Sequence, residues 1–250
     1  MNDFSLANRD ALVTGSSQGI GHALALALGR AGARVLFHGH RPPAQPLPPG
    51  ADFLLADLTL PDAPEKLVAQ AVQLRPDLDV LVCNAGSLYD TPFLEMTADR
   101  FDRTMELNVR AVYFLVQAFA RHLAARGRGG CIVLTSSTNG FQAEDDSTAY
   151  DASKGAVVML TRTFAHSLAR FGIRVNGIAP GLIRTPLTAG VDAKPELRAV
   201  YEKKILLGRL GRPEDCGGAV VFLCSDAAAY ITGHIIVIDG GLTVGQIGKP

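Results

Sequence analysis

Tyr150-Asp151-Ala152-Ser153-Lys154 sets a phenol and an ammonium four residues apart. On a helix that spacing puts both side chains on one face, one turn apart. The residues that follow predict such a helix, because Val157, Leu160, Thr161, Phe164 and Leu168 recur at three- and four-residue steps. A phenol loses its proton near pH ~10 and is a poor base at neutral pH. A neighbouring ammonium favours the phenolate, so the pair predicts a Tyr150 of lowered pKa that can exchange a proton with a substrate. Standing alone, Tyr-x-x-x-Lys is more often a packed ring and a solvated lysine on an amphipathic helix. The company it keeps along the chain decides the matter.

Ala11-Leu12-Val13 is a short apolar run that ends at once in Thr14-Gly15-Ser16-Ser17-Gln18-Gly19-Ile20-Gly21. A helical pattern follows through Ala23, Leu24, Ala27, Leu28 and Ala31. Strand, glycine turn and helix together form the layout that sets phosphate oxygens on backbone N–H groups at a helix N-terminus. The glycine spacing is G-x-x-x-G-x-G, and no G-K-[ST] marks a P-loop. A second strand, Arg34–His38, runs into Gly39-His40-Arg41 without the acid that commonly binds adenosine ribose hydroxyls in NAD-preferring folds. Arg41, with His40, suits a 2′-phosphate instead, which favours NADP over NAD; a solvated loop arginine is the competing reading. His38 and His40 alternate along the strand with no third ligand, so no zinc site is expected.

Residues 42–50 hold five prolines and predict a stiff connector in place of a helix. Residues 53–58 read as a third strand ending in Asp57, which could accept from an adenine amino group or cap the helix predicted over 64–75. Residues 79–83 read as a fourth buried strand, ending in the small turn Asn84-Ala85-Gly86 where backbone can approach a ligand closely. A long helical pattern over 99–124 is interrupted by Asn108, a residue that competes for backbone hydrogen bonds and could mark a kink. A fifth strand, 130–135, ends in Ser136-Ser137, and a sixth, 173–178, stops at Pro180-Gly181. Residues 182–207 suit a flap over a pocket, and a helix over 214–223 precedes a last strand, 235–241. Alternating apolar strands and helices predict a doubly wound parallel sheet of about seven strands, helices on both faces, in a single domain over 1–250.

Composition agrees with a large globular core: 48% of residues are hydrophobic and 19% charged. Lys+Arg and Asp+Glu both number 24, so no global charge draws the chain to nucleic acid or an anionic membrane. No apolar run reaches the ~20 residues a membrane span requires. The polar, acid-bearing start does not read as a signal or transit peptide, and the four cysteines stand singly, in contexts that suit reduced structural thiols. A cytoplasmic protein is the expectation.

With TGSSQGIG, CNAG, Asn108, Ser137, YDASK and IAPG in this order, the chain resembles the classical short-chain dehydrogenase/reductase family over essentially its whole length. The resemblance implies a Rossmann-type fold with NAD(P) at the strand C-termini and a catalytic tetrad of Asn108, Ser137, Tyr150 and Lys154. Tyr150 would exchange a proton with the substrate oxygen while hydride passes between substrate carbon and nicotinamide. Ser137 would hydrogen-bond the same oxygen, Lys154 would lower the Tyr150 pKa and grip the nicotinamide ribose, and Asn108 would hold water in a relay toward Lys154. By the same resemblance Gly15, Ser17, Gln18, Gly19, Ile20 and Gly21 would line the pyrophosphate and ribose, and Asp57 and Leu58 would flank adenine. Asn84, Ala85 and Gly86 would lie along the ribose, and Pro180, Gly181, Ile183 and Thr185 would support the carboxamide. Homotetramers, through the apolar faces of 105–119 and 156–168, are also implied.

Two departures stand out: the second βα unit lacks its helix, and Cys83 replaces the first Asn of the family's Asn-Asn-Ala-Gly, a position expected to be structural. The leading expectation is an oxidoreductase acting on a secondary alcohol or ketone, with Glu144-Asp145-Asp146 able to face a sugar or polyol but more often only a solvated run. A 3-oxoacyl thioester reductase is the alternative, for which only Arg184, Arg209 and Arg212 could form a basic patch. A non-catalytic nucleotide-sensing protein of the same fold is the reading from another class, and it has no need of Tyr150 or Lys154.

Overall fold

A computed structural model of the chain describes residues 3–245. Among them seven strands form one parallel sheet: β1 (Asp10–Val13), β2 (Arg34–Gly39), β3 (Asp52–Leu55), β4 (Val80–Cys83), β5 (Gly130–Thr135), β6 (Ile173–Pro180) and β7 (Ile235–Ile238). Their spatial order is β3-β2-β1-β4-β5-β6-β7, every neighbouring pair parallel. β1, β4 and most of β5 and β6 are buried on both faces, which is why they read as unbroken apolar runs rather than alternating ones.

The helices are α1 (Gly19–Arg30), α2 (Ala63–Leu74), α3 (Ala98–Met105), α4 (Ala111–Ala125), α5 (Thr148–Leu168), α6 (Ala189–Asp192), α7 (Pro195–Lys204) and α8 (Gly217–Cys224). Two apolar cores lie on opposite sides of the sheet. One gathers Leu67, Leu115, Phe119 and Val157 from α2, α4 and α5, and the other Leu24, Leu28, Val220 and Leu223 from α1 and α8. α1 and α8 meet closely because Gly217 faces Ala27, where a Cβ would stand 2.8 Å from the alanine methyl.

β2 and β3 are parallel neighbours joined by residues 40–51 without a helix, as the prolines predict. β3 is shorter than the apolar run suggests. It stops at Leu55 because Asp57 turns the chain, its Oδ1 accepting from Thr59 N (3.0 Å) and Thr59 Oγ1 (2.7 Å). Asp57 therefore caps its own turn and not the following helix, which starts later, at Ala63. β7 likewise ends at Ile238, where Gly240 and Gly241 take positive φ and Asp239 accepts from Gly241 N and Thr243 N.

The predicted break at Asn108 is a π turn, Glu106–Arg110, between α3 and α4. Such turns release backbone from the regular ladder and aim a side chain off the helix path.

The order of strands reverses between β1 and β4, whose outgoing connections lead to opposite sides. Ligands bind in the crevice beyond the carboxyl ends of strands at such a point. Gly15, Asn84 and Ser137 all lie within two residues of the C-terminal ends of β1, β4 and β5.

Candidate active site

Ser137 continues β5 and caps the short 3-10 turn Thr138–Gly140, its Oγ accepting from Asn139 N at 3.2 Å. α5 then brings Tyr150 back beside it, close enough for the Ser137 hydroxyl to act on the Tyr150 phenol and favour its ionised form. One turn on, the Lys154 Nζ lies 5.4 Å from the Tyr150 ring centroid and donates to the Thr135 carbonyl at 3.0 Å. The register of α5 against β5 is fixed by Ser136 Oγ, which donates to the Lys154 carbonyl at 3.0 Å. Gly140 is required there: a Cβ would stand 2.8 Å from Ser136 Oγ and 2.9 Å from the same carbonyl.

Tyr150 and Lys154 thus converge as expected, but their electrostatics differ from the expectation. Burial pushes the Tyr150 phenol up to about 12. Ser137 opposes that shift, and the charges of Glu144, Asp151 and Asp90 reinforce it. Burial also brings the Lys154 amine down to about 8. In the protein chain alone the ammonium does not acidify the phenol. Desolvation wins because Nζ faces the ring and a carbonyl rather than the phenolic oxygen.

Asn108, 1% exposed, uses the π turn to reach across the site. Its Nδ2 donates to Ser87 O (2.9 Å) and Ser153 Oγ (3.0 Å), while Oδ1 accepts from Ser87 N (2.9 Å). It therefore clamps the turn after β4 to α5, with Gly86 between Asn108 and Lys154: a Cβ there would lie 3.2 Å from Asn108 Oδ1 and 3.6 Å from Nζ. Asn108→Ala would leave the Ser87 N–H and C=O without these partners. We expect a loss of about 1–3 kcal/mol in stability by denaturant titration, and a fall in kcat as Gly86 and Lys154 lose their spacing.

The glycine turn makes the second half of the site. Gly15 takes φ 65°, and a Cβ there would stand 2.7 Å from Ala85 Cα. Asn84 Nδ2 donates to Thr14 O and Gly15 O, both at 3.2 Å, while Thr14 Oγ1 accepts from Asn84 N and Ala85 N. These bonds lock β1's turn to β4's. Gln18 is the N-cap of α1, and no side chain caps that N-terminus or places an acid in its first turn. A cradle closed to side chains beside an uncapped helix start fits a phosphate group.

Arg41 is exposed and without a partner among the described residues, and its loop returns to the cradle through Ala44 N donating to Ser17 O at 3.1 Å. Asp57 is exposed on the same side, whereas the Leu58 side chain is buried in the core. Pro180 ends β6, and Gly181 packs against Asp239, where a Cβ would stand 2.7 Å away. The Ile183 side chain is likewise buried in the core. Thr185 stands over Gly19, with a Cβ at that glycine 3.6 Å from the threonine side chain.

Further residues join the site that no spacing pointed to. Asn139 Oδ1 accepts from Ser137 Oγ (3.3 Å), and its Nδ2 donates to Asp151 Oδ1 (2.8 Å) and Glu144 Oε2 (3.0 Å). Glu144 Oε1 in turn accepts from Tyr201 of α7 at 3.0 Å. Glu144 is thus wired to the serine turn on one side and to the 182–207 segment on the other, not merely solvated. His38, 2% exposed, bonds both the glycine turn and the end of the β3 run. Cys83 is buried in the core and burial holds its thiol protonated, the structural role expected of it.

Residues 15–243 match the family described as enoyl-(acyl carrier protein) reductase. The chain belongs to the short-chain dehydrogenase/reductase family. Among its relatives, the L-rhamnose 1-dehydrogenase (NAD(P)(+)) of Sphingomonas sp. (strain SKA58) is 38% identical, covering 96% of this chain and 98% of that one. The gluconate 5-dehydrogenase of Gluconobacter oxydans is also 38% identical, covering 96% and 97%. Of solved structures, a putative NAD(P) dependent gluconate 5-dehydrogenase from Beutenbergia cavernae with bound NADP superposes with a TM-score of 0.92 at 37% identity, covering 98% and 100% of the two chains. This short-chain dehydrogenase/reductase accordingly carries the family's one-domain Rossmann-type sheet, and its oxidoreductase chemistry acts on CH–OH groups. No helix among the described residues is long and apolar enough to cross a membrane, and no group of three or more His, Cys, Asp or Glu among them could hold a metal ion.

Proposed function

We propose that this short-chain dehydrogenase/reductase oxidises a hydroxyl carbon of a neutral polyhydroxylated substrate, a sugar or polyol, with NADP as its preferred cofactor. The observation that carries the reading is the meeting of the Tyr150 hydroxyl with Ser137, next to Lys154 and beside the glycine cradle at the reversal of strand order. When bound, the nicotinamide supplies the acceptor or donor of hydride. Gly15, Ser17, Gln18, Gly19, Ile20 and Gly21 would hold its pyrophosphate and ribose, with Asn84, Ala85 and Gly86 along the ribose. Asp57 and the backbone at Leu58 would flank adenine, and Pro180, Gly181, Ile183 and Thr185 would frame the carboxamide end.

In oxidation Tyr150 must act as the phenolate to take the proton of the substrate hydroxyl, and in reduction it returns that proton as the phenol. The positive charge of Lys154 and of an oxidised nicotinamide would favour the phenolate over its state in the protein chain alone. Ser137 donates its single hydroxyl proton to the substrate oxygen, turning away from Asn139 Oδ1 to do so. Lys154 holds positive charge under the phenol, and Asn108 fixes the turn that Lys154 faces. Residues 182–207, latched through Tyr201 and Glu144, form the flap that excludes water from the substrate.

Charge selects among substrates. Glu144, Asp151 and Asp90 all press on the Tyr150 phenol. The arginines of the flap are already engaged, Arg184 by Asp192 at 3.4 Å and Arg198 by Glu202 at 2.9 Å. Arg209 is held by Asp215 at 2.7 Å. An aldonate or an acidic carrier protein finds Arg198 and Arg209 already paired and would depend on Arg212 or the flap lysines Lys194, Lys203 and Lys204, whereas neutral hydroxyls find carboxylate acceptors. At the cofactor end, the partnerless Arg41 and the absence of an acid at the end of β2 favour a 2′-phosphate. The four buried cysteines, all free thiols, suit the cytoplasm. Half-exposed Tyr113 of α4 and Met159 of α5 suit these two helices to association as a homotetramer.

The test is initial-rate absorbance at 340 nm with NADP+ and NAD+ in parallel, against neutral aldoses including L-rhamnose, polyols, aldonates and a 3-oxoacyl thioester in the reverse direction. We expect neutral sugars to exceed aldonates by about tenfold or more in kcat/KM, and NADP+ to have the lower KM. Preference for an aldonate or a thioester would overturn the substrate assignment.

A further inference from the structure

We propose that His38 is a positioning residue for the dinucleotide, a neutral strut that holds the phosphate turn against the adenine wall. The inference rests on the reading of this chain as an NADP enzyme. The His38 Nδ1 accepts from Gly15 N at 3.1 Å, and Nε2 faces the Ala56 carbonyl at 3.1 Å. An N–H opposite Nδ1 and a C=O opposite Nε2 admit one arrangement only: a neutral ring carrying its proton on Nε2. Burial favours that form too, bringing the imidazole down to about 4. Ser16 adds backbone ties to the same residue, donating from N to His38 O at 2.8 Å and accepting at Oγ from His38 N at 2.9 Å.

The two partners of the ring belong to the two halves of the candidate nucleotide site. Gly15 opens the glycine turn, and its carbonyl is already taken by Asn84. Ala56 immediately precedes Asp57, the exposed acid beside the adenine position. No other side chain bonds both segments among the described residues. β3 needs such a tie because the connection from β2 has no helix to brace it, and only the 40–51 loop spans the gap. The Gly15 N–H is committed to His38, so Gly15 shapes the cradle and leaves direct phosphate bonding to the N–H groups farther along the turn and the start of α1.

Three substitutions separate this role from bulk stability. Asn places an amide oxygen near the position of Nδ1 and keeps the bond to Gly15; Gln places an amide N–H near Nε2 and keeps the bond to Ala56; Phe keeps ring volume and neither bond. NADPH affinity is measured by fluorescence titration on the folded full chain, with kcat, KM for NADP+ and thermal melting alongside. Wild type must bind NADPH; if it does not, the proposed function fails and the strut with it. Given wild-type binding, we expect His38→Phe to bind NADPH about tenfold more weakly and to raise KM for NADP+ more than it lowers kcat. His38→Asn and His38→Gln each keep one end of the strut, so both should bind NADPH clearly more weakly than wild type, and neither should recover most of the affinity. Wild-type affinity in either variant, or melting points that fall together while affinity holds, would overturn the proposal. If His38→Phe does not fold, the Asn and Gln variants measured against wild type decide alone.

Discussion

Tyr150→Phe is expected to lower kcat for sugar oxidation by about 10³-fold, within the range that a positioned proton-transfer group contributes. The substitution removes one oxygen and leaves the ring, so the Lys154 ammonium keeps its aromatic neighbour at 5.4 Å and the packing of α5 is undisturbed. Affinity for NADPH should hold within about threefold. The Ser137 hydroxyl keeps its bonds to Asn139, accepting from Asn139 N and donating to Oδ1. Steady-state rates with saturating NADP+ and an active sugar check this. Equal turnover by wild type and variant would remove the enzyme assignment and restore the nucleotide-sensing reading of the fold.

The second large effect couples activity to stability, and it follows from the cost of burying Lys154. The amine lies at about 8 in the folded chain against 10.5 for the free side chain, with desolvation as the cause. Its folded pKa is therefore lowered, and for a base this means that the folded state resists the proton. Below pH 8 both folded and unfolded chains carry the charge, and the full penalty, about 3 kcal/mol from the difference in pKa, weighs on the fold. Between pH 8 and 10.5 the folded chain releases its proton while the unfolded chain keeps it, and the penalty fades.

Lys154→Met replaces the ammonium with an apolar chain of similar length. It forfeits the bond to Thr135 O, which offsets about 1 kcal/mol of the gain. We expect the cofactor-free variant to be more stable than wild type by about 2 kcal/mol at pH 7, roughly 4–8 °C in melting temperature, with the advantage shrinking toward pH 10. Turnover should fall by at least about 10²-fold at the same time. A variant less stable than wild type at pH 7, or one whose advantage does not change with pH, would show that Lys154 is not held against its charge. Such a result would also argue against desolvation as the cause of the raised Tyr150 pKa.

The opposed shifts of Tyr150 and Lys154 have one common cause, the burial of both side chains at the end of β5. The hydrogen bonds of Ser136 and Asn108 hold α5 in place against β5 and the turn after β4, so Lys154 stays buried despite the cost.

Much of this arrangement was legible along the chain. The seven strands announced themselves as apolar runs closed by Gly, Pro, Ser or Asx, and α5 as a stripe at helical steps, because those signals arise from the local geometry of a buried strand and a half-buried helix. The break at Asn108 and the missing helix after β2 were equally local, one from a side chain that competes with the backbone and the other from prolines without N–H donors. Asn108, Ser137, Tyr150 and Lys154 were put forward as a tetrad by the ordered family motifs, not by the periodicity that places strands and helices.

What only tertiary structure decided has a common physical source. Desolvation depends on every atom around a group, so the direction of the Tyr150 pKa could not be taken from its neighbour at i+4. The links from Asn139 through Glu144 to Tyr201, and from Gly15 through His38 to Ala56, join segments far apart in the chain by single hydrogen bonds that leave no period or spacing behind. The amino-acid order by itself determined which elements form and which residues stand at their ends; the packing of those elements determined which charges are dehydrated and which distant side chains meet.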